Sequence, residues 1–173
     1  MKKLRAIAVL EDKEYNSNQQ FEGNPAWNIR NVERIEWENE EERVVISFTK
    51  GTLLRYLSSP DGIFIILIFR NNVNYLEPCK CVVLNQEGKV HQVICAPTLI
   101  SPEVKKYHKG EGKILGHIYG ATIKNISGKE EITLFIEDIK EYFSTGVRYC
   151  EQRIFYPETG EMGGLVSVQI PLR

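Results

Sequence analysis

The sequence predicts a mainly β domain of the α+β class, with about nine strands in an antiparallel or mixed sheet and one or two short helices. Three observations lead to this prediction. Residues 63–69 (IFIILIF) form an unbroken apolar run, short apolar segments separated by turn residues fill most of the chain, and helical periodicity is rare. The run is too short to cross a bilayer, which needs roughly 20 residues. Its β-branched and aromatic content therefore predicts a central strand buried on both faces.

The other candidate strands are short segments in which apolar side chains recur between turn residues. In chain order they are 4–10, 32–38, 43–49, 52–57, 80–84, 90–95, 113–124, 131–136, 147–156 and 165–170. Residues 85–89 (NQEGK) predict the loop of a hairpin, because a glycine lies within a short polar connection. Residues 157–164 (PETGEMGG) predict a turn-rich connection between the last two strands.

Helix signals are confined to three places. Ser101 followed by Pro102 predicts a helix start, because serine caps helices and proline suits the first helical position, and Gly110 predicts the end. Residues 137–144 are a second candidate. Residues 26–37 fit either a helix or a strand, and we favour a strand because the following segment needs a pairing partner.

Length and composition predict a single globular domain over residues 1–173, with a long polar loop at 11–24. The chain has 42% hydrophobic residues, which is ordinary for such a domain. The apolar stretch at residues 6–10 is too short for the core of a secretory signal, which needs 7–15 residues. We therefore predict a cytoplasmic protein without a membrane segment.

The charged residues nearly cancel in number but are unevenly distributed. The chain contains 22 Lys plus Arg and 23 Asp plus Glu, a net charge of -1, which makes a nucleic-acid partner unlikely for want of a basic excess. Residues 11–42 contain ten acidic and three basic residues, whereas residues 43–113 contain ten basic and five acidic residues. This segregation predicts a charged face.

The acidic residues at 33–42 surround one tryptophan and predict a binding site for a protein with a basic surface, because such a patch accelerates association with an oppositely charged partner. The candidate partner-binding residues are Glu33, Glu36, Trp37, Glu38, Glu40, Glu41 and Glu42. The alternative is a solvated β-turn in which Trp37 faces the core.

Four cysteines are too few for a disulfide scaffold, and in a reducing compartment they would remain thiols. If residues 85–89 are a loop, Cys79 lies opposite Cys95, Cys81 opposite Val93, and Val83 opposite His91. Those three cysteines and the histidine would then share one face. The Cys-x-Cys spacing differs from that of zinc knuckles, so we predict cysteines that act as small buried apolar residues, and neither a metal nor a cofactor. The alternative is a redox pair, which would need strain or an oxidising compartment. A register shift of one residue would separate the group.

The sequence contains no nucleophile elbow, P-loop, dinucleotide fingerprint or zinc-protease motif. His117 lies between Gly116 and Gly120, and glycines allow a substrate to approach the backbone closely. A pocket around His117 and Tyr119, with Cys150 or Tyr149, is therefore an alternative site for a small molecule. No residue is predicted to be catalytic.

Three functions follow from these patterns. The first is a non-enzymatic, cytosolic protein-binding module, in its specific form an immunity-type inhibitor that neutralises a basic, nuclease-like toxin through its acidic surface. The second is a small-molecule-binding protein or enzyme with a pocket near His117. The third is a structural or assembly subunit that associates through an exposed strand edge. The sequence is silent on the identity of the partner and on the oligomeric state.

Overall fold

The computed structural model describes residues 7–10, 13–16, 32–38, 42–49, 51–70, 74–75, 78–107, 113–138 and 149–169. These residues form twelve strands and one short helix, and the strands make three four-stranded sheets. Every pairing between these strands is antiparallel. The prediction of a mainly β fold with a short helix is confirmed.

The sheets follow one another along the chain. The first has the order β2-β1-β3-β4 and contains β1 (Ile7–Leu10), β2 (Lys13–Asn16), β3 (Val32–Glu38) and β4 (Arg43–Ser47). The middle sheet has the order β5-β6-β7-β8 and contains β5 (Leu54–Ser58), β6 (Ile65–Phe69), β7 (Cys81–Leu84) and β8 (Val90–Ile94). The third has the order β12-β11-β10-β9 and contains β9 (Gly116–Ile126), β10 (Lys129–Asp138), β11 (Cys150–Tyr156) and β12 (Glu161–Gln169).

The middle sheet lies between two apolar cores, which explains the apolar run in the sequence. Ile65, Leu67 and Phe69 of β6 pack into a cluster with Ile35 and Trp37 of the first sheet. The two intervening residues of β6 pack into a second cluster with side chains of the third sheet, among them Leu134 and Ile136. Because successive side chains of a strand point to opposite faces, a strand in the middle of three layers must be apolar at every position. The predicted central strand is confirmed.

The single helix, α1 (Pro102–Tyr107), begins where the sequence predicts. The Ser101 hydroxyl accepts a hydrogen bond from the Val104 N–H at 3.2 Å, the usual geometry of an N-terminal cap. The second helix candidate is wrong at its start, because Glu137 and Asp138 belong to β10, and its remaining residues lie outside the described ranges. In the ambiguous segment, the described part forms β3, as favoured.

Two strands differ from the prediction. Residues 13–16 form β2 inside the segment predicted to be a long polar loop, the rest of which lies outside the described residues. Strand β12 begins at Glu161, within the connection predicted to be turn-rich. Gly163 is placed there by packing: a Cβ atom on it would lie 3.0 Å from the Tyr156 ring of the neighbouring strand. Gly163 therefore makes room for an aromatic side chain and does not mark a loop.

The β7–β8 hairpin corrects the prediction for the cysteines. Leu84 pairs with Val90 as predicted, but an extra residue at His91 shifts the register so that Val83 pairs with Gln92 and Cys81 with Ile94. The shift separates the predicted cysteine–histidine group: Cys81 is buried in the core and His91 is exposed. Cys79 and Cys95 form a disulfide, so the prediction that they remain thiols is wrong.

Within the described residues, no helix has the length and apolar content that crossing a membrane requires.

Candidate protein-binding site

Trp37 is part of the core. Only 1% of its surface is exposed, and its indole N–H donates a hydrogen bond to the backbone carbonyl of Gln86 at 2.8 Å. Tryptophan is buried readily when its N–H finds an acceptor, and here the acceptor lies in the β7–β8 loop. The structure thus adopts the alternative in which Trp37 faces the core. The side chain therefore connects the first sheet to the middle sheet, through its packing and its hydrogen bond.

The acidic residues predicted to bind a partner fall into two groups. Glu36 is 3% exposed and is held by Arg34, at 3.3 Å between Nε and Oε1, and by Arg43. A carboxylate paired in this way is not available to a partner at the surface. Glu38 and Glu42, by contrast, are exposed at the two sides of the β3–β4 connection. The side chain of Glu33, and both Glu40 and Glu41, lie outside the described part of the structure.

Several turns and strand ends meet at one end of the molecule, which we call the loop end. The register places Ser58 beside Ile65, Ile65 beside Leu84, and Leu84 beside Val90, so the β5–β6 and β7–β8 loops emerge side by side from the middle sheet. The hydrogen bond between Trp37 and Gln86 places the end of β3, and with it Glu38, at the same end. The β11–β12 turn lies next to the start of β8, where Glu158 contacts His91.

Hydrogen bonds between the connections fix the loop end. The Gln86 side-chain amide donates to the Gly62 carbonyl at 3.4 Å, which links the β7–β8 loop to the β5–β6 loop. A ring nitrogen of His91 lies 3.0 Å from the carbonyl oxygen of Glu158, which links β8 to the β11–β12 turn. Pre-organised loops bind with a smaller loss of conformational entropy than mobile ones, so this arrangement suits recognition of a second protein.

Local sequence fixes two of these loops. Gly88 has φ = +76°, a conformation that other residues seldom adopt, and a Cβ atom there would lie 2.8 Å from Val44 of the first sheet. The β5–β6 loop is closed by Asp61, whose carboxylate accepts hydrogen bonds from the Ile63 N–H at 3.0 Å and from the Ser59 hydroxyl. An aspartate carboxylate that accepts a hydrogen bond from the backbone N–H two residues later stabilises a tight turn.

The loop end carries an excess of negative charge. Its exposed acidic residues are Glu38, Glu42, Asp61, Glu87, Glu158 and Glu161, and its exposed basic residues are Arg43 and Lys89. Arg43 is bound to the buried Glu36. Lys129 interacts electrostatically with Glu158, and it forms an ion pair with Glu131 at 2.9 Å. The described part of this surface is therefore acidic, and most of its acids come from segments far apart in sequence.

The residues of the alternative pocket lie mainly on the third sheet. His117 pairs with Glu137 and Glu137 pairs with Cys150, so these three side chains form a row across β9, β10 and β11. The Tyr119 hydroxyl lies 3.6 Å from the Cys150 sulfur. Tyr149 is buried in the core between the middle and third sheets, where its hydroxyl forms a hydrogen bond with Ser101. The structure thus brings together three of the four predicted residues.

The chemistry of this row does not suit nucleophilic catalysis by cysteine. Burial raises the pKa of Cys150 and outweighs the hydrogen bond with Tyr119, which lowers it, and the carboxylates of Glu137 and Glu151 add smaller increases. A catalytic cysteine needs a lowered pKa, because the thiolate is the nucleophile. The row also places Glu137 between the histidine and the cysteine, whereas a Cys–His–acid triad requires the histidine in the middle.

Thiol reactivity tests this assignment of the cysteines. Burial raises the pKa of Cys81 to about 12, and the pKa of Cys150 is raised as well, so neither thiol is ionised appreciably near neutral pH. We expect the native protein to react with iodoacetamide at pH 8 at less than about 1% of the rate of free cysteine. Mass spectrometry should show two modified cysteines after unfolding, and four after unfolding with reduction. Rapid modification of Cys150 in the native protein would contradict the assignment.

No group of three or more histidine, cysteine, aspartate or glutamate side chains in the described ranges is arranged to hold a metal ion. The third predicted possibility, an assembly subunit, would use the exposed edge of a sheet, and β4, β5 and β8 are edge strands of their sheets as described. Neither observation identifies a ligand.

Comparison with known proteins extends the description of the fold. No protein-family model matches the chain, and no curated protein matches its sequence. A solved structure of Tne2 in complex with Tni2 contains a similar chain, with a TM-score of 0.60 and 15% identity over 96% of this chain and 97% of that chain. The two chains share a fold.

Asp61, Glu87, Glu158 and Glu161 were missed by reasoning from the sequence. Each is an isolated acid next to a turn, and no sequence signal indicates that separate turns meet in space. The turn residues Gly62, Gly88 and Gly160 are visible in the sequence, and all three have positive φ angles in the structure. They predict the turns, but only the register of the strands shows that the turns share one end.

Proposed function

We propose that the chain is a protein-binding module of the immunity type, which inhibits a partner by covering a basic surface with its loop end. The observation that carries the proposal is the set of exposed acids at the loop end, on segments that hydrogen bonds link to one another: Glu38, Glu42, Asp61, Glu87, Glu158 and Glu161. A nuclease-like toxin is the specific partner proposed, because an enzyme that binds a polyanion presents a basic surface at its active site. The shared fold with a chain from a two-protein complex supports a protein partner.

The residues proposed to contact the partner differ from those singled out in the sequence. Glu38 and Glu42 remain in the proposed surface. Glu36 acts differently, because it binds Arg34 and Arg43 and so supports β3 and β4 beneath the surface. Trp37 likewise has a supporting role, since it holds the end of β3 next to Gln86.

Charge reversal tests the proposal. The partner is sought by co-purification from the source organism with the full chain, and the binding constants are then measured with both proteins purified. Glu38→Lys/Glu42→Lys/Glu87→Lys is expected to weaken binding at least about 100-fold, mainly through a slower association rate, because complementary charges steer encounters. The loss should shrink at high salt, where screening weakens the attraction.

The matched control is Glu103→Lys, since Glu103 is exposed on α1, close to Tyr149 at the opposite end of β11. Its association rate should stay within about threefold of the wild type, as expected for one charge outside the interface. Equal affinity of the wild type and the triple variant would refute a role for the loop end. A partner whose toxic activity persists in the complex would refute inhibition while leaving binding intact.

The cytoplasmic location predicted from the sequence stays a prediction. Disulfides persist mainly in oxidising compartments, so the Cys79–Cys95 disulfide favours an oxidising compartment over the cytoplasm. Acid quenching of intact cells followed by alkylation in denaturant distinguishes the two, because unfolding exposes the buried Cys81 and Cys150. Four blocked cysteines then indicate a reducing compartment, whereas two indicate an oxidising one.

A further inference from the structure

We propose that Val90 and Val93 of β8, the β8 apolar strip, form the apolar centre of the interface whose charged rim is the loop end. The occupant is a partner protein that presents apolar side chains flanked by lysine or arginine. This inference rests on the proposed function and deepens it, because it names the surface that keeps the complex together after the charges have steered the encounter.

The β8 apolar strip lies on the face of the middle sheet that the first sheet covers. The residues of β7 that pair with the strip are buried on this face. Val90 pairs with Leu84, and Val93 pairs with Val82. Directly paired side chains of neighbouring strands project from the same face. Val82 and Leu84 are 1% and 4% exposed because the first sheet covers them, whereas Val90 and Val93 are 50% and 45% exposed. The first sheet therefore stops short of β8 and leaves two adjoining valines uncovered.

The opposite face of β8 is closed. Ile94 is 7% exposed and belongs to the core between the middle and third sheets. The β11–β12 turn packs against the same strand, since a Cβ atom on Gly160 would lie 2.9 Å from the Gln92 side chain and 3.0 Å from Ile94. A partner can thus reach β8 on the valine face. The remaining large exposed apolar side chains in the described ranges lie on other elements: Val45, Ile100, Leu115 and Leu165.

Charge complementarity identifies the occupant. Strand β8 follows the loop that carries Glu87, and that loop is bonded to Trp37 next to Glu38. Protein interfaces commonly combine an apolar centre with a polar rim. An acidic rim beside an apolar strip fits a basic protein better than a second copy of this chain, whose own loop end would bring like charges together.

The irregular edge of β8 argues for contact through side chains. The extra residue at His91 interrupts the ladder between β7 and β8, and such bulges hinder the addition of another strand at an edge. Within the middle sheet as described, β8 is an edge strand. The occupant is therefore expected to pack onto the valines and not to extend the sheet.

Site-specific photo-crosslinking tests the inference directly, because it captures whichever protein contacts the strip. A benzophenone amino acid is placed at position 90 or 93 of the full chain in cells of the source organism, with positions 115 and 165 as controls. We expect adducts with one basic protein from positions 90 and 93 and none from the controls. Adducts with a second copy of this chain, adducts with an acidic protein, or no adducts at 90 and 93 would each overturn the inference.

Kinetics with the purified partner separate this inference from the proposed function. Val90→Ser/Val93→Ser is expected to raise the dissociation rate at least tenfold and to leave the association rate and its salt dependence unchanged. Leu115→Ser/Leu165→Ser is the matched control, and urea unfolding verifies that every variant is folded. If the serine variant dissociates like the wild type while charge reversal still slows association, the strip is not the interface centre but the proposed function stands. If charge reversal also has no effect, both fail.

Discussion

Trp37→Ala is expected to lower the free energy of unfolding by about 3–5 kcal/mol, the usual cost of truncating a buried aromatic side chain. The side chain is 1% exposed and lies in the core between the first and middle sheets. Its removal leaves a cavity and also leaves the Gln86 carbonyl without its donor. Because the same side chain positions the end of β3 that carries Glu38, partner binding should weaken as well. Urea unfolding followed by circular dichroism measures the stability change.

Two further variants separate packing from exposure. Trp37→Phe keeps much of the ring volume and loses the hydrogen bond, so its loss of stability should be intermediate, at roughly 1–3 kcal/mol. Val45→Ala is the control, because Val45 lies on the neighbouring strand but is 49% exposed, and it should change stability by less than about 0.5 kcal/mol. A Trp37→Ala protein as stable as the wild type would show that Trp37 is a surface residue, as the partner-binding prediction required.

Removal of the Cys79–Cys95 disulfide is expected to cost about 3 kcal/mol, the entropy that a crosslink of this loop length takes from the unfolded chain. The two cysteines are 16 residues apart and enclose the whole β7–β8 hairpin. The Cys79→Ser/Cys95→Ser variant should therefore unfold at a lower urea concentration. Because β8 carries the apolar strip and His91, the variant should also bind the partner more weakly.

Reductant provides the control for this prediction. Dithiothreitol should shift the unfolding midpoint of the wild type to that of the double serine variant, and it should leave the variant unchanged, since Cys81 and Cys150 are not crosslinked. A wild-type midpoint that does not respond to reductant, with the disulfide shown to be reduced by thiol labelling, would contradict a stabilising role.

The sequence was a better guide to the layers than to the surface. Periodicity located β3 to β9 closely, because burial repeats with the pleat of a strand and is visible in the residues themselves. It missed the start of β12, because Gly163 resembles a turn residue in the sequence. In the structure this glycine lies within the strand and leaves space for the Tyr156 ring of the neighbouring strand. Periodicity also missed the bulge at His91, since a single inserted residue alters the pairing without altering the apolar pattern on either side.

The acidic segment shows the same limit for the candidate site. Most residues of 33–42 are charged, but Glu36 and its uncharged neighbour Trp37 are both buried in the structure, on opposite faces of β3. An ordinary half-exposed strand would bury only one of these faces. Pairing with Arg34 and Arg43 is what allows the carboxylate of Glu36 to be buried. The sequence shows which residues are charged, but it does not show which of them form ion pairs within the chain.

By itself, the sequence determined that this chain folds mainly from strands, that residues 63–69 contain a strand covered on both faces, and that Ser101 begins a helix. These features depend on neighbours along the chain or on the two-residue repeat of a strand. Only the tertiary structure decided that turns and strand ends far apart in the sequence form one acidic end, that Trp37 lies inside, and that Val90 and Val93 remain uncovered. Those properties depend on strand register and on how far one sheet extends over another, which are set by contacts between residues distant in sequence.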